Sequence, residues 1–247
     1  MIHFLIITLG SADLVALALS SIRRYAPASM IDLVPLHPST NGARAHGAAI
    51  DQWRDTYAGQ VADGDVVVIM DPDVVLLSAQ WCKEVEGAFA DERVGIWGAG
   101  ARDDFGPRVH AHMMCIRGRV WNTVQATFTP CRDMRERAWR DTGGLYCLAA
   151  IDAGWQVQPL ERGPDWHGVS AWWGRQEWSV QTTMTILATA YAHLDATPKK
   201  MYTPTPLWAH LGSSTHSDPL RLTWWQRLRR WRQIKQRRQF IAAVRNA

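Results

Sequence analysis

The amino-acid sequence predicts an α/β fold in which a mostly parallel sheet is flanked by helices. Along the first 160 residues, short apolar runs alternate with segments in which apolar residues recur at helical spacing. One of these runs, from Val66 to Ile69, is continuously apolar, which is typical of a parallel strand covered on both faces. The 247 residues, of which 47% are hydrophobic, are enough to bury one sizeable core.

The elements follow in chain order from apolar spacing and from turn-forming residues such as Gly10 and Pro38 between them. The predicted strands cover residues 3–9, 30–36, 65–70, 94–97, 109–116 and 156–160. The predicted helices cover residues 12–24, 43–57, 79–89, 119–126, 144–153 and 180–194. Ser78 is a candidate N-cap for the third helix, because its hydroxyl can accept a bond from a free backbone N–H. Residues 163–178, rich in Trp and Gly, predict a loop.

The carboxyl-terminal segment differs in charge from the rest of the chain. Residues 221–247 carry eight arginines, one lysine and no acidic residue. Residues 1–220 contain the other 18 basic residues and all 23 acidic residues, and they therefore carry a net charge of −5. We therefore predict two units, a domain over residues 1–218 and a basic helix over residues 219–247. The apolar residues that recur along one side of this helix are Trp224, Leu228, Trp231, Ile234, Ile241 and Val244.

The basic helix is open to three interpretations. It can lie on an anionic bilayer with its indoles at the interface, track the phosphates of a nucleic acid, or dock on the domain by its apolar side. No apolar stretch reaches the roughly 18 residues that a membrane-spanning helix needs. The four cysteines are scattered without a Cys-x-x-Cys pair. The sequence therefore predicts a cytoplasmic protein, peripheral to a membrane or associated with DNA through this helix.

The clearest candidate for chemistry is the segment Asp71-Pro72-Asp73, which directly follows the third predicted strand. Open α/β sheets bind their ligands at the carboxyl ends of the strands. Two carboxylates one residue apart can aim oxygens at one hard cation, Mn²⁺ or Mg²⁺, and leave positions free for phosphates. The alternative is an ordinary turn, since Asp and Pro favour turns.

Several segments, in the same order along the chain, resemble the family 2-like glycosyltransferases with the GT-A fold. The resembling segments are residues 6–8 in the first strand, 41–49 (NGARAHGAA), 65–73 with the Asp-x-Asp motif, 141–145 (DTGGL), 153–157 (AGWQV) and 208–214 (WAHLGSS). The resemblance covers roughly residues 3–216. It implies the Rossmann-like GT-A sheet and a metal-dependent transfer of sugar from a nucleoside-diphosphate sugar to an acceptor hydroxyl.

The resemblance also implies roles for the matching residues. The candidates for the nucleotide-sugar side are Thr8, Asn41, Arg44, His46 and Asp71. The candidates for binding Mn²⁺ or Mg²⁺ are Asp71, Asp73 and His210. Asp141 would be the base that takes the proton of the acceptor hydroxyl, which implies a single displacement with inversion.

Plainer alternatives stay open for these residues. Asp141 precedes Thr-Gly-Gly and suits a helix N-cap, and His210 can be a hydrogen-bonded histidine at a strand end. Arg44 can be a solvated helix residue. The alternation His110-x-His112 puts both rings on one strand face, but no third ligand is evident nearby. This pattern favours a satisfied strand pair over a zinc site.

The sequence departs from the family in two places. Leu36-His37-Pro38 stands where the family often has an acidic residue that contacts the base, and Asp141 is followed by Thr rather than belonging to a Glu-Asp pair. The acceptor can be a glycan, a lipid or a hydroxylated base in DNA.

Two other functions compete with a glycosyltransferase. A nucleotidyltransferase on a similar sheet would show a Gly-rich phosphate loop with a basic residue, which residues 9–12 do not supply. A non-catalytic nucleic-acid-binding module would bind through the basic helix, and the two aspartates would form only a turn.

Overall fold

In the computed structural model, the described part of the chain contains ten strands and five helices. The described residues are 1–8, 12–36, 43–57, 59–103, 106–130, 141–160, 162–166, 169–179 and 202–210. The helices are α1 (Ala12–Tyr25), α2 (Ala43–Thr56), α3 (Gln80–Phe89), α4 (Gly118–Thr123) and α5 (Gly144–Asp152). The strands are β1 (Ile2–Thr8), β2 (Met30–Pro35), β3 (Val66–Met70), β4 (Val74–Leu76), β5 (Val94–Asp103), β6 (Gly106–Arg117), β7 (Gln156–Leu160), β8 (Arg162–Trp166), β9 (Val169–Ser179) and β10 (Tyr202–His210).

Six of these strands form the central sheet, in the order β2-β1-β3-β6-β5-β7. Strand β1 pairs in parallel with β2 and β3, and β5 pairs in parallel with β7. Strand β6 runs antiparallel between β3 and β5. Five of the six strands therefore point the same way, and the predicted mostly parallel sheet flanked by helices is confirmed.

Both faces of this sheet are covered by helices, which is why its central strands are apolar throughout. Along β1, Leu5 and Ile7 belong to the core shared with α2, α4 and α5, whereas Phe4 and Ile6 belong to the core shared with α1 and α3. The largest fully buried side chains include Trp81, Trp121, Trp208, Tyr146, Phe4 and Phe128. Burying one such side chain contributes roughly 1.5–3 kcal/mol.

A second sheet has four antiparallel strands in the order β4-β10-β9-β8. The predicted loop over residues 163–178 is therefore wrong, because most of this segment lies in β8 and β9. Its Trp and Gly content suggests a loop in isolation, but tryptophan and valine are favoured in strands once a pairing partner exists. Strand β8 pairs with β9, and the second partner of β9 is β10, which follows more than 20 residues later in the chain.

Strands β5 and β6 continue well beyond the predicted runs. Gly98 adopts a φ of 149° at an irregularity of the pairing, a conformation that favours glycine. A Cβ on Gly100 would clash with the carbonyl oxygen of Arg108. The glycines that suggest the end of a strand therefore allow β6 to approach closely, and the pairing continues past them.

The other predicted elements agree with the structure more closely. Strand β7 has the predicted bounds, and α4 ends three residues early because Val124 is extended, with φ −81° and ψ 107°. Ser78 is not the N-cap of α3, because Ala79 occupies that position, although the Ser78 hydroxyl accepts a hydrogen bond from the Gln80 N–H at 3.1 Å. The predicted helix over 180–194, the basic helix over 219–247 and the boundary at 218 lie outside the described residues. No helix within the described ranges is long and apolar enough to cross a bilayer.

Asp65 ties together the amino-terminal ends of β1 and β3. Its carboxylate accepts hydrogen bonds from the amino-terminal ammonium at 2.6 Å, from His3 Nε2 at 2.9 Å and from the Ala62 N–H at 3.1 Å. Partial burial raises the pKa of Asp65, but these donors outweigh it and lower the pKa to about 2. The ionised carboxylate therefore stabilises this edge of the sheet.

We expect Asp65→Asn to lower the free energy of unfolding by about 1–2 kcal/mol at pH 7. A group with a lowered pKa in the folded state stabilises above its ordinary value of 3.8 and loses that contribution as the pH falls toward about 2. Urea unfolding should show the gap between variant and wild type closing over that window. Asp55→Asn, which changes a carboxylate that is 77% exposed, is the control. An equal loss at pH 7 and pH 2 would contradict the assignment.

Candidate functional site

The Asp71-Pro72-Asp73 segment lies at the carboxyl end of β3, at the edge where ligands of open α/β sheets bind. The Asp71 N–H donates to the carbonyl oxygen of His112 at 3.1 Å, so pairing with β6 continues one residue beyond β3. The Val74 N–H donates to the Asp71 carbonyl oxygen at 3.2 Å. The segment is therefore a turn, as its Asp and Pro residues favour, and this turn leads directly into β4.

The two aspartates differ in exposure. The side chain of Asp71 is 29% exposed, whereas Asp73 is buried, with 4% of its surface accessible. A buried carboxylate is costly unless other polar groups or a cation compensate its charge. Both the turn and the metal interpretation of the sequence fit this arrangement, because the turn brings the two carboxylates to one edge of the sheet.

His46 approaches Asp71 from the first turns of α2. Its Nε2 atom lies 3.5 Å from Asp71 Oδ1, at ion-pair distance but without the geometry of a hydrogen bond. The next residue, Gly47, is buried against the segment of residues 126–130. A Cβ on Gly47 would lie 2.6 Å from the Phe128 carbonyl oxygen and from the Thr129 backbone. Glycine at this position lets α2 approach closely enough to bring His46 to the edge.

The 126–130 segment links α2 to the start of α5. Asp51 accepts hydrogen bonds from the hydroxyls of Thr127 and Thr129 and from the Phe128 N–H. On the other side, the Gly143 N–H donates to the Phe128 carbonyl oxygen at 3.0 Å. The segment therefore fixes the helix that carries His46 relative to the turn that carries Asp141.

Asp141 pairs with His110 at the same edge of the sheet. The distance from His110 Nδ1 to Asp141 Oδ2 is 2.9 Å, and the Thr142 N–H donates to Asp141 Oδ1 at 2.9 Å. The ring of His110 stacks on that of His112, with centroids 5.6 Å apart and planes inclined by 14°. Asp141 lies ahead of Gly143, the residue that precedes α5, so it is not the N-cap of that helix.

The charge of Asp141 is set by competing effects. Desolvation raises its pKa, but the hydrogen bond and charge of His110, the Thr142 N–H and the charge of Arg108 outweigh desolvation. The pKa therefore lies below the ordinary value of 3.8, and the carboxylate is ionised at neutral pH. An ionised carboxylate can only accept hydrogen bonds.

The remaining sequence-predicted residues are placed as follows. Thr8 ends β1, two residues beyond the pairing of Ile6 with Met70, and its hydroxyl donates to the Val34 carbonyl oxygen at 3.4 Å. Arg44 is exposed at the start of α2. Asn41 lies outside the described residues.

The backbone of β10 brings His210 next to the Asp-x-Asp segment. In the antiparallel pairing of β10 with β4, His210 is the partner of Val74, the residue that follows Asp73. Within the described side chains, which do not include that of His210, no group of three His, Cys, Asp or Glu residues is placed to hold a metal ion. Asp71 and Asp73 lie on one turn, and the backbone of His210 lies at an adjacent register position. Carboxylate oxygens are the ligands that Mn²⁺ and Mg²⁺ favour.

Sequence reasoning missed the pairing of His110 with Asp141. The alternation His110-x-His112 correctly placed both rings on one strand face, where their centroids lie 5.6 Å apart, but the partner of His110 lies 31 residues further along the chain. The sequence carries little indication of this pairing, because His110 reaches this edge of the sheet only through the position of β6 beside β3.

Comparisons with known proteins add little to this geometry. No protein-family model and no curated protein sequence matches the chain. Among solved structures, the chain is similar to a mannosyltransferase from Pyrobaculum calidifontis, determined in complex with GDP-mannose and Mn²⁺. The two chains share 15% identity and superpose with a TM-score of 0.43 over 66% of this chain and 55% of that enzyme. This chain thus matches about half of the enzyme's length, and a similarity this distant assigns no role to any residue.

Gly47→Ala should destabilise the protein by about 1–3 kcal/mol, because the added methyl group would push α2 away from the backbone of residues 128 and 129. Thermal unfolding measures the change. The matched control is Gly87→Ala in α3, where a Cβ would meet nothing within 4 Å. That variant should be stabilised by about 0.5–1 kcal/mol, since alanine is the better helix former. Equal effects of the two substitutions would show that the close approach at Gly47 is unimportant.

Proposed function

We propose that this chain is a divalent-cation-dependent glycosyltransferase that moves a sugar from a nucleoside diphosphate to an acceptor hydroxyl. The observation that carries the proposal is the position of Asp71 and Asp73 on one turn at the carboxyl edge of the sheet. Histidines reach that edge from α2 and β6, and a carboxylate precedes α5 there. Such a convergence of ionisable groups from separate elements is typical of a catalytic site.

The donor would lie across the carboxyl ends of β1 and β3. Thr8 ends the first of these strands and Asp71 follows the second, and His46 lies beside Asp71. Asn41 and Arg44 belong to the segment that joins β2 to α2 and to the first turn of α2. These residues would bind the nucleotide and orient the sugar.

Asp71, Asp73 and His210 would hold Mn²⁺ or Mg²⁺. When bound, the cation would neutralise charge that develops on the departing diphosphate. A cation beside the buried carboxylate of Asp73 would add to the interactions that compensate its charge. The exposed side of Asp71 leaves room for a phosphate or ribose oxygen.

The acceptor would be activated at Asp141, either directly or through the histidine that this carboxylate binds. Attack of the acceptor oxygen on the anomeric carbon, on the face opposite the diphosphate, gives a single displacement with inversion. The acceptor classes compatible with the sequence are glycans, lipids and hydroxylated bases in DNA. A polyanionic acceptor, DNA or an anionic membrane, would also engage the basic residues 221–247.

A thermal-shift panel of UDP-, GDP-, CDP- and dTDP-sugars, each with and without Mn²⁺, tests the donor site. One nucleotide-sugar should stabilise the protein only with Mn²⁺, by about 2.7 kcal/mol at a hundredfold excess over its Kd. Asp73→Ala should abolish this stabilisation, because it removes a metal ligand.

Asp152→Ala is the matched control, since it changes an exposed carboxylate on α5. It should leave the ligand-dependent shift intact. The absence of any nucleotide-dependent shift, with or without Mn²⁺, would overturn the proposed function and favour a binding role for the basic segment.

A further inference from the structure

The pair formed by His110 and Asp141 combines an imidazole with a carboxylate that orients it, which a lone carboxylate does not provide. The two side chains come from different elements, β6 and the turn before α5, and meet at 2.9 Å. Both remain accessible, with 28% of the His110 side chain and 51% of the Asp141 side chain exposed. A buried structural ion pair would be shielded from substrate, whereas this pair can be reached from solvent.

The hydrogen bond fixes the tautomer of the ring. Since the Asp141 carboxylate is ionised, it accepts, and His110 Nδ1 must carry the shared proton. In the neutral imidazole the other nitrogen, Nε2, then holds the lone pair. This orientation is the one in which a carboxylate-bound histidine serves as a base.

The ring of His110 lies nearly parallel to that of His112, with centroids 5.6 Å apart and planes inclined by 14°. The residue before His110, Val109, pairs with Gly100 of β5. The charged and titratable groups around the pair, among the described residues, include Arg108 and His112 on β6 and Cys147 on α5. Thr142 contributes a backbone N–H that holds the far oxygen of Asp141.

An imidazole is in general a stronger base than a carboxylate, by two to three powers of ten. The donors around Asp141 lower the pKa of its carboxyl, because they stabilise its ionised form. A carboxylate in such a setting stabilises a neighbouring imidazolium better than it accepts a proton itself.

We propose that His110, oriented by Asp141, is the group that takes the proton from the acceptor hydroxyl. The acceptor O–H bond breaks as its oxygen forms a bond to the anomeric carbon, and the proton passes to Nε2 of His110. The bond from the anomeric carbon to the diphosphate oxygen breaks, and the diphosphate leaves with the electron pair. The resulting imidazolium is stabilised by the Asp141 carboxylate. This assignment rests on the proposed function and deepens it.

The first test is independent of activity. Long-range ¹H–¹⁵N correlation spectra of histidine-labelled protein report the tautomer of each ring, and the His110→Gln variant identifies the signal of His110. At a pH where the ring is neutral, His110 should be protonated at Nδ1, and Asp141→Asn should remove this preference. A neutral His110 protonated at Nε2 in the wild type would overturn the proposal.

The second test measures Mn²⁺-dependent hydrolysis of the nucleotide-sugar that stabilises the protein, with water as acceptor. His110→Ala should lower kcat by about 10²–10⁴-fold. Added imidazole should restore part of this loss, because the small base can occupy the vacated space. Asp141→Asn should not be rescued by imidazole, since the His110 ring still fills that space. Hydrolysis by His110→Ala within threefold of the wild type would overturn the proposal.

Failure of the proposed function is distinguishable from failure of this inference. Both variants should keep the Mn²⁺-dependent thermal shift with the nucleotide-sugar, because neither residue is assigned to the donor site. Absence of that shift in the wild type would overturn the proposed function and with it the inference, whereas a shift that is present together with an Nε2-protonated His110 would overturn the inference alone.

Discussion

The antiparallel insertion of β6 between β3 and β5 is the constraint on which the rest of the candidate site depends. It places the carbonyl oxygen of His112 opposite the Asp71 N–H, so that the Asp-x-Asp turn begins where β6 carries its two histidines. A parallel strand at this position would bring its carboxyl end to the edge instead, and the histidines would lie elsewhere. One antiparallel strand thus places the Asp-x-Asp turn near the pair of His110 and Asp141.

A second layer of contacts fixes the elements around this edge. The 126–130 segment packs closely against α2 at Gly47. Its Phe128 carbonyl oxygen accepts a hydrogen bond from the Gly143 N–H, in the turn before α5. Asp51 holds this segment through three hydrogen bonds. The positions of His46 and Asp141 are therefore coupled through main-chain atoms, although the two side chains lie on separate elements.

Local patterns were sufficient to predict the parallel part of the fold, because helical spacing and continuous apolar runs report burial directly. They also located Asp71 and Asp73, since the carboxyl end of a buried strand is recognisable from its sequence. They failed for β9, whose strand character depends on pairing with β10, and for His110, whose partner is set by strand order. Both failures concern contacts between residues far apart in sequence, and the spacing of apolar residues along the chain does not indicate such contacts.

The pairing of β10 with β4 has a consequence for the order in which the site is assembled. Val74 meets His210 only after the chain has passed through all the intervening elements, so this contact carries a large loop-closure entropy. Contacts of this kind form late and slow the folding of a domain. During synthesis, the Asp-x-Asp turn would remain open on its β4 side until residues 202–210 have left the ribosome. The edge would thus gain its β10 neighbour only after all the elements between β4 and β10 have been made.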